Sequence, residues 1–344
     1  MHREPKKKRP NLRDVSRAAE VSVATVSRVL NTPEVVNKDT RSRVEAVIEE
    51  LGFVRSAAAF AINSGRTRLL GALIPNLESD IFSLTVSSIE QTLVEYGFSL
   101  IVATTDDNPD KEARKAKELV DVGVEGFFVT GVDHSDALYD LLRRVQVPAV
   151  AISYFDQDYR LPTVGYDNRL AATQACAHLI ELGHQRIAVV HGPLTGNDRT
   201  KARVDATRDA LSAQGCEFFE EPISVEGGVA AARRALAQSG SLDAILCMSD
   251  PMAFGVLHEL HRCGVSVPKD VSVVSIHNLP ASEFTHPPLT TVHLPARQMG
   301  KRAAECLARW VEHDERPSAI CLDTYLVQRS SATSIDNVTN FDAN

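Results

Sequence analysis

The sequence has no run of about 18 consecutive apolar residues, the length that a membrane-crossing helix requires. Its basic opening stretch, MHREPKKKRPN, has no apolar segment behind it, which is not the pattern of a secretory signal. The six cysteines are scattered and form no C-x-x-C pair, so we expect reduced thiols without a zinc site or a disulfide framework. These absences predict a cytoplasmic globular protein that makes no use of a membrane.

Catalytic constellations are also missing. No nucleophile–base pair emerges along the chain, so we expect neither an enzyme nor a bound cofactor. The segment GHQRIAVVHGP lacks the Lys-Ser/Thr of a phosphate-binding P-loop. His178, His184 and His191 fall on different predicted elements, and we expect no metal site among them.

Charge is unevenly distributed along the 344 residues. Residues 1–66 carry a net charge of +5 and the remainder carries −13, which gives the total of −8. A small basic unit joined to a large acidic one indicates a polyanion partner for the first unit only. The basic run KKKR is weak evidence by itself, because a solvated tail has the same composition.

The first sixty residues have the pattern of three short helices. Asn11 is placed to cap a helix that begins at Leu12, with apolar residues at three- and four-residue spacing. After a tight turn, Ser22 caps a second helix. Thr40 is placed to cap a third helix, Arg41–Leu51, which a glycine ends. Two short helices joined by a tight turn predict a helix-turn-helix.

The second helix has an unusually bare outer face, with small residues and one arginine. In a helix-turn-helix this helix enters the major groove with its N-terminal residues at the base edges. Val23 and Ala24 offer methyl contacts, while Arg28 can pair bidentately with a guanine. The predicted DNA-binding residues of this unit are Ser22, Val23, Ala24, Thr25, Ser27, Arg28 and Asn31. A structural three-helix bundle without a DNA partner is the alternative.

The segments LRDVSRAAEVSVATVSRVLN and VVNKDTRSRVEAVIEELGF closely resemble the headpiece of LacI/GalR-family transcription regulators. The resemblance covers nearly every position from Leu12 to Phe53. It implies that Val23, Ala24 and Arg28 select operator bases. It also implies a transcription factor, a repressor in particular, that binds a pseudopalindromic double-stranded operator as a homodimer.

Residues 56–66 separate the headpiece (1–55) from the large domain. Their Ala-rich part could be helical but is too short to be stable alone in water. In the resembled family this segment is a hinge helix that forms on operator DNA and inserts an apolar side chain into the minor groove. Ile62 stands at that position here, and Phe60 replaces an arginine of the usual pattern. A plain linker is the alternative.

From Leu69 onward, apolar strands alternate with amphipathic helices, which predicts parallel sheets in an α/β domain. Two of the expected helices are Phe82–Tyr96 and Lys111–Val122. The expected strands are LLGALIPN, FSLIVATT, VEGFFVTG, VPAVAIS, RIAVVHG, AILCMS and VSVVSI. About 275 residues exceed one comfortable open sheet, so we expect two lobes.

Segments such as VGYDNRLAA and PPLTTVHLP resemble the effector domain of the same family, which has the fold of periplasmic sugar-binding proteins. The fold class expected is an all-α helix-turn-helix headpiece plus an α/β periplasmic-binding-protein-like two-lobe effector domain at 67–344. The resemblance implies that the chain crosses between lobes near Gly165, Val292 and Leu322. The lobes are expected at about 67–165 with 293–322, and about 166–292 with 323–336.

Ligands of such folds bind beyond the carboxyl ends of the strands. Strand ends and the family pattern together nominate as effector-binding residues Phe82, Thr130, Ser153, Arg199, Arg203, Ile223, Ser249, Asp250 and His277. Structural packing or a contact between lobes is the alternative for each of them. The resemblance implies an effector contact for Arg203 above all.

Three of these positions depart from the sugar-binding members of the resembled family. Those members often have Asp where this chain has Ser153 and His277, and an aromatic residue where it has Ile223. The cleft therefore loses two carboxylate acceptors and an aromatic face, while Arg199 and Arg203 remain. Two guanidinium groups favour a carboxylate or phosphate. We expect an anionic small-molecule effector, such as a sugar acid, an organic acid or a sugar phosphate.

Other functions stay open on the sequence. A neutral sugar or nucleoside, or a protein partner, would serve the same DNA-binding regulator. The large domain alone also fits a solute-binding receptor, which the attached headpiece opposes. Induction and corepression look alike in sequence. The tail SATSIDNVTNFDAN lacks the heptads of tetrameric members, so we expect a dimer whose seam uses the helix near Phe82.

Overall fold

The computed structural model describes residues 10–54, 65–238 and 242–337. It divides the chain into two compact units, which meet in sequence between Thr67 and Arg68. The predicted hinge helix, with Phe60 and Ile62, lies outside the described residues. In the described ranges no helix has both the length and the apolarity that crossing a bilayer requires.

The described part of the first unit is a three-helix structure. Its helices are α1 (Leu12–Ala18), α2 (Val23–Asn31) and α3 (Lys38–Leu51). Their inward faces bury Val15, Ala19, Val26, Val29 and Val44. Asn11 caps α1 in a reciprocal arrangement with Asp14, and Ser22 caps α2 by accepting from the Thr25 amide. The helix-turn-helix predicted from the sequence is confirmed.

Helix α3 begins three residues earlier than the sequence predicted. The N-cap is Asn37, whose side chain accepts a hydrogen bond from the Asp39 amide at 2.9 Å. Thr40, the predicted cap, therefore lies inside the first turn. Asn and Thr both have side chains suited to capping, so the pattern alone did not separate the two positions. Gly52 ends α3 in the left-handed conformation, at φ +60°.

The second unit contains two sheets, each with a layer of helices on both sides. The strands are β1 (Leu69–Ile74), β2 (Ser99–Thr104), β3 (Phe127–Thr130), β4 (Ala149–Ile152), β5 (Thr163–Gly165), β6 (Arg186–His191), β7 (Gly215–Glu220), β8 (Ala244–Cys247), β9 (Ser272–His277), β10 (Thr290–His293), β11 (Ile320–Cys321) and β12 (Tyr325–Val327). The helices are α4 (Asp80–Glu95), α5 (Pro109–Val122), α6 (Asp136–Val145), α7 (Asn168–Glu181), α8 (Asp198–Ala210), α9 (Val225–Gln238), α10 (Asp250–Arg262) and α11 (Ala296–His313).

The two sheets define two lobes. Lobe 1 has the strand order β11-β5-β4-β3-β1-β2, and lobe 2 has the order β12-β10-β9-β8-β6-β7. Neighbouring described strands pair in parallel, except that β12 runs antiparallel to β10. The chain passes between the lobes three times, after β5, after β10 and after β11. The two-lobe α/β fold class is thus confirmed.

Close helix contacts inside each lobe depend on glycine. In lobe 2, α9 crosses α10 so tightly that a Cβ on Gly255 would lie 1.9 Å from the Val225 carbonyl oxygen. A Cβ on Gly228 would lie 2.0 Å from the Met252 carbonyl oxygen. In lobe 1, α11 approaches α4 at Gly300 in the same manner. These helix pairs therefore pack backbone against backbone.

Candidate functional sites

The outer face of α2 is open to solvent, as a nucleic-acid-reading face requires. Val23, Ala24 and Arg28 are exposed there, whereas Val26 and Val29 of the same helix are buried in the core. Two aliphatic side chains and one guanidinium thus lie together on the exposed face of α2. This arrangement offers methyl contacts and a bidentate donor to base edges.

The other predicted residues of α2 are tied to its backbone and to each other. The Ser22 hydroxyl lies 2.8 Å from the Thr25 hydroxyl, and the Asn31 amide nitrogen donates to Ser27 Oγ at 3.1 Å. These bonds fix side-chain rotamers at both ends of the face. The structure therefore brings the seven predicted residues of the headpiece together on one helix and its cap.

A cleft separates the two lobes at the carboxyl ends of their strands. Its empty volume, space open to solvent included, is about 520 Å³. Lobe 1 contributes Asn76, Ser79, Ile81, Phe82, Asp107 and Ser153; Tyr166 lies where the chain crosses; lobe 2 contributes Asn197, Arg199, Thr200, Arg203, Ile223 and His277. Because both lobes supply lining residues, a ligand in this cleft contacts both.

Arg203 is a buried cation with uncharged partners. It is 5% exposed, and its Nε donates to Asn168 Oδ1 at 2.9 Å. Its Nη1 donates to the Met248 carbonyl at 3.1 Å and faces His277 Nε2 at 3.3 Å. Within the described ranges no carboxylate forms an ion pair with it. Burial lowers the pKa of Arg203, but a guanidinium keeps its charge in proteins, so a positive charge with no directly bonded carboxylate among the described residues lies at the cleft.

Asn168 sets the orientation of that guanidinium. While its Oδ1 accepts from Arg203, its Nδ2 donates to the Ser153 carbonyl of lobe 1 at 3.0 Å. The amide is therefore held from both sides and presents the Arg203 plane to the cleft. We note Asn168 as a supporting residue that reasoning from the sequence missed.

His277 lines the cleft with a neutral ring. Burial lowers its pKa well below the ordinary histidine value, and the nearby Arg203 lowers it further. Since its Nε2 faces an Arg203 nitrogen that can only donate, the ring proton is assigned to Nδ1. Nδ1 is buried and has no hydrogen-bond partner among the described residues.

Ser153 and His277 each have a strained backbone conformation. Their φ angles are +67° and +139°, in the region that favours glycine, and both follow or end a strand at the cleft. Residues with such backbone conformations cluster at ligand sites. They persist only where the surrounding structure holds them in place. These are also two of the positions where the sequence departs from sugar-binding members of the resembled family.

Arg199 lines the cleft, as predicted, but is already paired with carboxylates. Its Nη2 donates to Asp107 Oδ1 at 2.6 Å, and its Nη1 donates to Asp198 Oδ1 at 2.8 Å. Two carboxylates thus already compensate this guanidinium. Of the two arginines, only Arg203 has no carboxylate bonded to it among the described residues.

Thr130, Ser249 and Asp250 were predicted to line the cleft, but its wall does not include them. The Thr130 hydroxyl donates to the Leu73 carbonyl inside lobe 1, and Ser249 Oγ is buried. Asp250 accepts from four donors of its own lobe, which are Ser275, Leu279, Ser282 and Thr291. Burial raises the pKa of Asp250, and these donors oppose that change. The carboxylate thus accepts four hydrogen bonds and braces the loop after β9.

The sequence carried a signal for several lining residues that were missed. Asn76 and Asp107 each come two or three residues after the end of β1 or β2, and Tyr166 directly follows β5. The strand-end rule, applied to every strand, would have nominated all three. No three described His, Cys, Asp or Glu side chains form a metal-binding group.

Comparison with family models gives two matches. Residues 11–56 match "Bacterial regulatory proteins, lacI family", and residues 176–332 match "Periplasmic binding protein-like domain".

Full-length relatives extend these matches. The HTH-type transcriptional regulator MalR of Streptomyces coelicolor is 33% identical over 337 residues, which are 94% of this chain and 96% of the relative. Catabolite control protein A of Streptococcus mutans is 30% identical over 307 residues, 88% and 91% of the two chains. The HTH-type transcriptional repressor PurR of Vibrio atlanticus is 28% identical over 331 residues, 94% and 99% of the two chains.

Solved structures share the fold over nearly the whole chain. A lacI-family transcriptional regulator from Silicibacter pomeroyi superposes with a TM-score of 0.85 at 27% identity, covering 94% of this chain and 99% of the other. The lac repressor dimer bound to operator and the anti-inducer ONPF has a TM-score of 0.85 at 24% identity, covering 95% and 100%. At that identity the second match shows the fold alone.

Proposed function

The chain belongs to the lacI family of bacterial regulatory proteins, a family of DNA-binding transcription regulators, and from this premise we propose that it is a repressor controlled by an anionic metabolite. A relative of similar length is named a transcriptional repressor, which supports repression, as opposed to activation, of transcription. We propose further that it binds a pseudopalindromic operator as a homodimer, with α4 at the dimer seam. The lac repressor, which shares the fold, forms a dimer on its operator.

The observation that carries the effector class is Arg203. A buried guanidinium with only neutral hydrogen-bond partners is costly, and an anion bound beside it would offset that cost. The neutral ring of His277 lies beside it, with Nε2 at 3.3 Å from Arg203 Nη1. Among the described residues, Asp107 is the one acid that lines the cleft, and it already pairs with Arg199. The local chemistry therefore favours a carboxylate or phosphate over an uncharged sugar.

Control of DNA binding follows from the two-sided lining of the cleft. An effector that contacts both lobes binds one separation of the lobes better than another. It shifts the balance between them by that difference in affinity and by no more. The effector would thereby change how the dimer presents its headpieces to the two operator half-sites. Both induction and corepression are compatible with this scheme.

A thermal-shift screen of the full chain tests the effector class. The panel contains sugar acids, sugar phosphates, dicarboxylates and matched neutral sugars. A ligand at 100 times its dissociation constant adds about 2.7 kcal/mol to the free energy of unfolding. We expect stabilisation by anions only. Stabilisation by neutral sugars alone would refute the anionic class, and a chain that answers to no panel member would favour a protein partner.

Arg28→Ala is expected to weaken operator binding by about 1–3 kcal/mol and to relax discrimination at one base pair of each half-site. The reason is the loss of a bidentate donor from the exposed face of α2. Fluorescence anisotropy against an operator and its single-base variants measures both effects.

Arg43→Ala is the matched control for that experiment. Arg43 is an exposed arginine of the same unit on α3 and not on α2. Its removal should change affinity by the same factor for every operator variant, if at all. Unchanged base discrimination in the Arg28 variant would remove that residue from the base-reading set.

A further inference from the structure

The N-terminal end of α8, in lobe 2, reaches across the mouth of the cleft. Arg199 donates to Asp107 of lobe 1 at 2.6 Å, and its Nη1 also faces the Thr130 carbonyl of lobe 1 at 3.5 Å. Asp198 accepts from the backbone amides of Val132 and Asp133, both in lobe 1. We call this group of contacts the interlobe clamp. Each contact of the clamp joins two groups of the protein, so the clamp needs no ligand to form.

The backbone on both sides is shaped for the clamp. Gly131 of lobe 1 has φ +83°, and a Cβ there would lie 2.5 Å from both Arg199 Nη1 and Asp198 Oδ2. Gly196 of lobe 2 has φ +71°, and a Cβ there would lie 2.1 Å from the Asp107 carbonyl oxygen. Asp107 itself holds a positive φ of +51°. One glycine in each lobe thus permits an approach that any other residue would block.

The charges of the clamp lie in a partly dry environment. The side chains of Arg199 and Asp198 are 7% and 12% exposed, and that of Asp107 is 26% exposed. Buried ion pairs are screened by salt much less than surface pairs. Removing Arg199 would leave two buried carboxylates without their cation, which is strongly unfavourable. The clamp is therefore an interaction that resists opening of the lobes.

We infer that the interlobe clamp keeps the two lobes closed in the absence of any effector. The closed cleft is then the resting state, and a ligand reaches Arg203 only while the clamp is open. The clamp sets the fraction of time that the cleft is accessible. This inference does not depend on the charge of the effector.

Amide hydrogen exchange in the ligand-free full-length protein measures the clamp directly. The Val132 and Asp133 amides donate to Asp198 across the cleft, whereas the neighbouring Gly131 amide donates to the Ile152 carbonyl within lobe 1. Mass spectrometry with fragmentation that separates single amides resolves them. We expect slow exchange at Val132 and Asp133 without ligand. Exchange at the unprotected rate would overturn the inference.

Arg199→Gln and Asp107→Asn provide the second arm. Each should speed exchange at Val132 and Asp133 by about tenfold or more, because the open state gains population, and leave Gly131 unchanged. Asp106→Asn is the matched control: Asp106 is adjacent, also has a positive φ, and pairs with Lys111 of its own lobe. Exchange that rises equally at Gly131 means that lobe 1 itself has loosened. That result, or no rise in either clamp variant, would overturn the role of the clamp.

Discussion

Arg203→Ala is expected to abolish the response to anionic metabolites, with a loss of about 2–5 kcal/mol in effector binding free energy. The guanidinium is buried at the cleft, has only neutral partners, and is oriented through Asn168. An anion bound there would form a charge-assisted hydrogen bond that no remaining side chain can replace. Isothermal titration with whichever anion stabilises the wild-type chain gives the affinity, and thermal shift gives the response.

Two further variants make that result specific. Lys201→Ala removes a cation from the same helix, but one whose side chain is 62% exposed and pairs with Asp205, so it should leave effector affinity unchanged. Arg203→Lys keeps the charge and loses the planar fork, and we expect it to recover only part of the affinity. An Arg203→Ala protein that still binds the anion as tightly as wild type would refute the proposed site.

Gly255→Leu is expected to destabilise the protein by more than about 3 kcal/mol, beyond the usual cost of overpacking. Its Cβ alone would lie 1.9 Å from the Val225 carbonyl oxygen and 2.8 Å from the Val229 amide nitrogen. Both are helix backbone atoms of α9, which cannot turn aside as a side chain would. Leucine is a good helix former, so the loss would not come from helix propensity. Urea unfolding followed by circular dichroism measures the change.

Gly215→Leu is the matched control within the same lobe. Gly215 begins β7, and the nearest atom to its added Cβ is the Gln185 carbonyl oxygen at 3.6 Å, an ordinary contact distance. We expect a change several times smaller than at Gly255. Equal destabilisation of the two variants would show that the α9–α10 crossing is not the cause.

Local patterns in the sequence were sufficient for much of the fold. Cap residues placed α1 and α2 correctly at Asn11 and Ser22, because a cap side chain acts on the amides next to it. Long buried strands were also found, since an apolar run is itself the signal. The strand β7, with sequence GCEFFE, was missed: it lies at a sheet edge and carries charged residues. Strands of two or three residues, such as β11, are too short for any pattern.

The cleft was harder to predict, because its contacts join distant parts of the chain. Arg199 and Arg203 looked alike in the sequence, four residues apart on one helix. Only the fold shows that Asp107, 92 residues away, compensates the first and not the second. Likewise, the four donors that saturate Asp250 come from segments 25 to 41 residues later. Of the two guanidinium groups, only that of Arg203 supports the proposed anionic effector.

The triple crossing of the chain between the lobes has a consequence for biosynthesis. Lobe 1 buries Met299, Ala303 and Leu307 of α11 against its earlier elements, and β5 gains its outer neighbour only when β11 is made. Neither lobe is therefore complete while the ribosome is still translating the region before Ala296. A nascent chain that stops before Ala296 leaves an apolar face of lobe 1 uncovered, and such a surface is prone to aggregation.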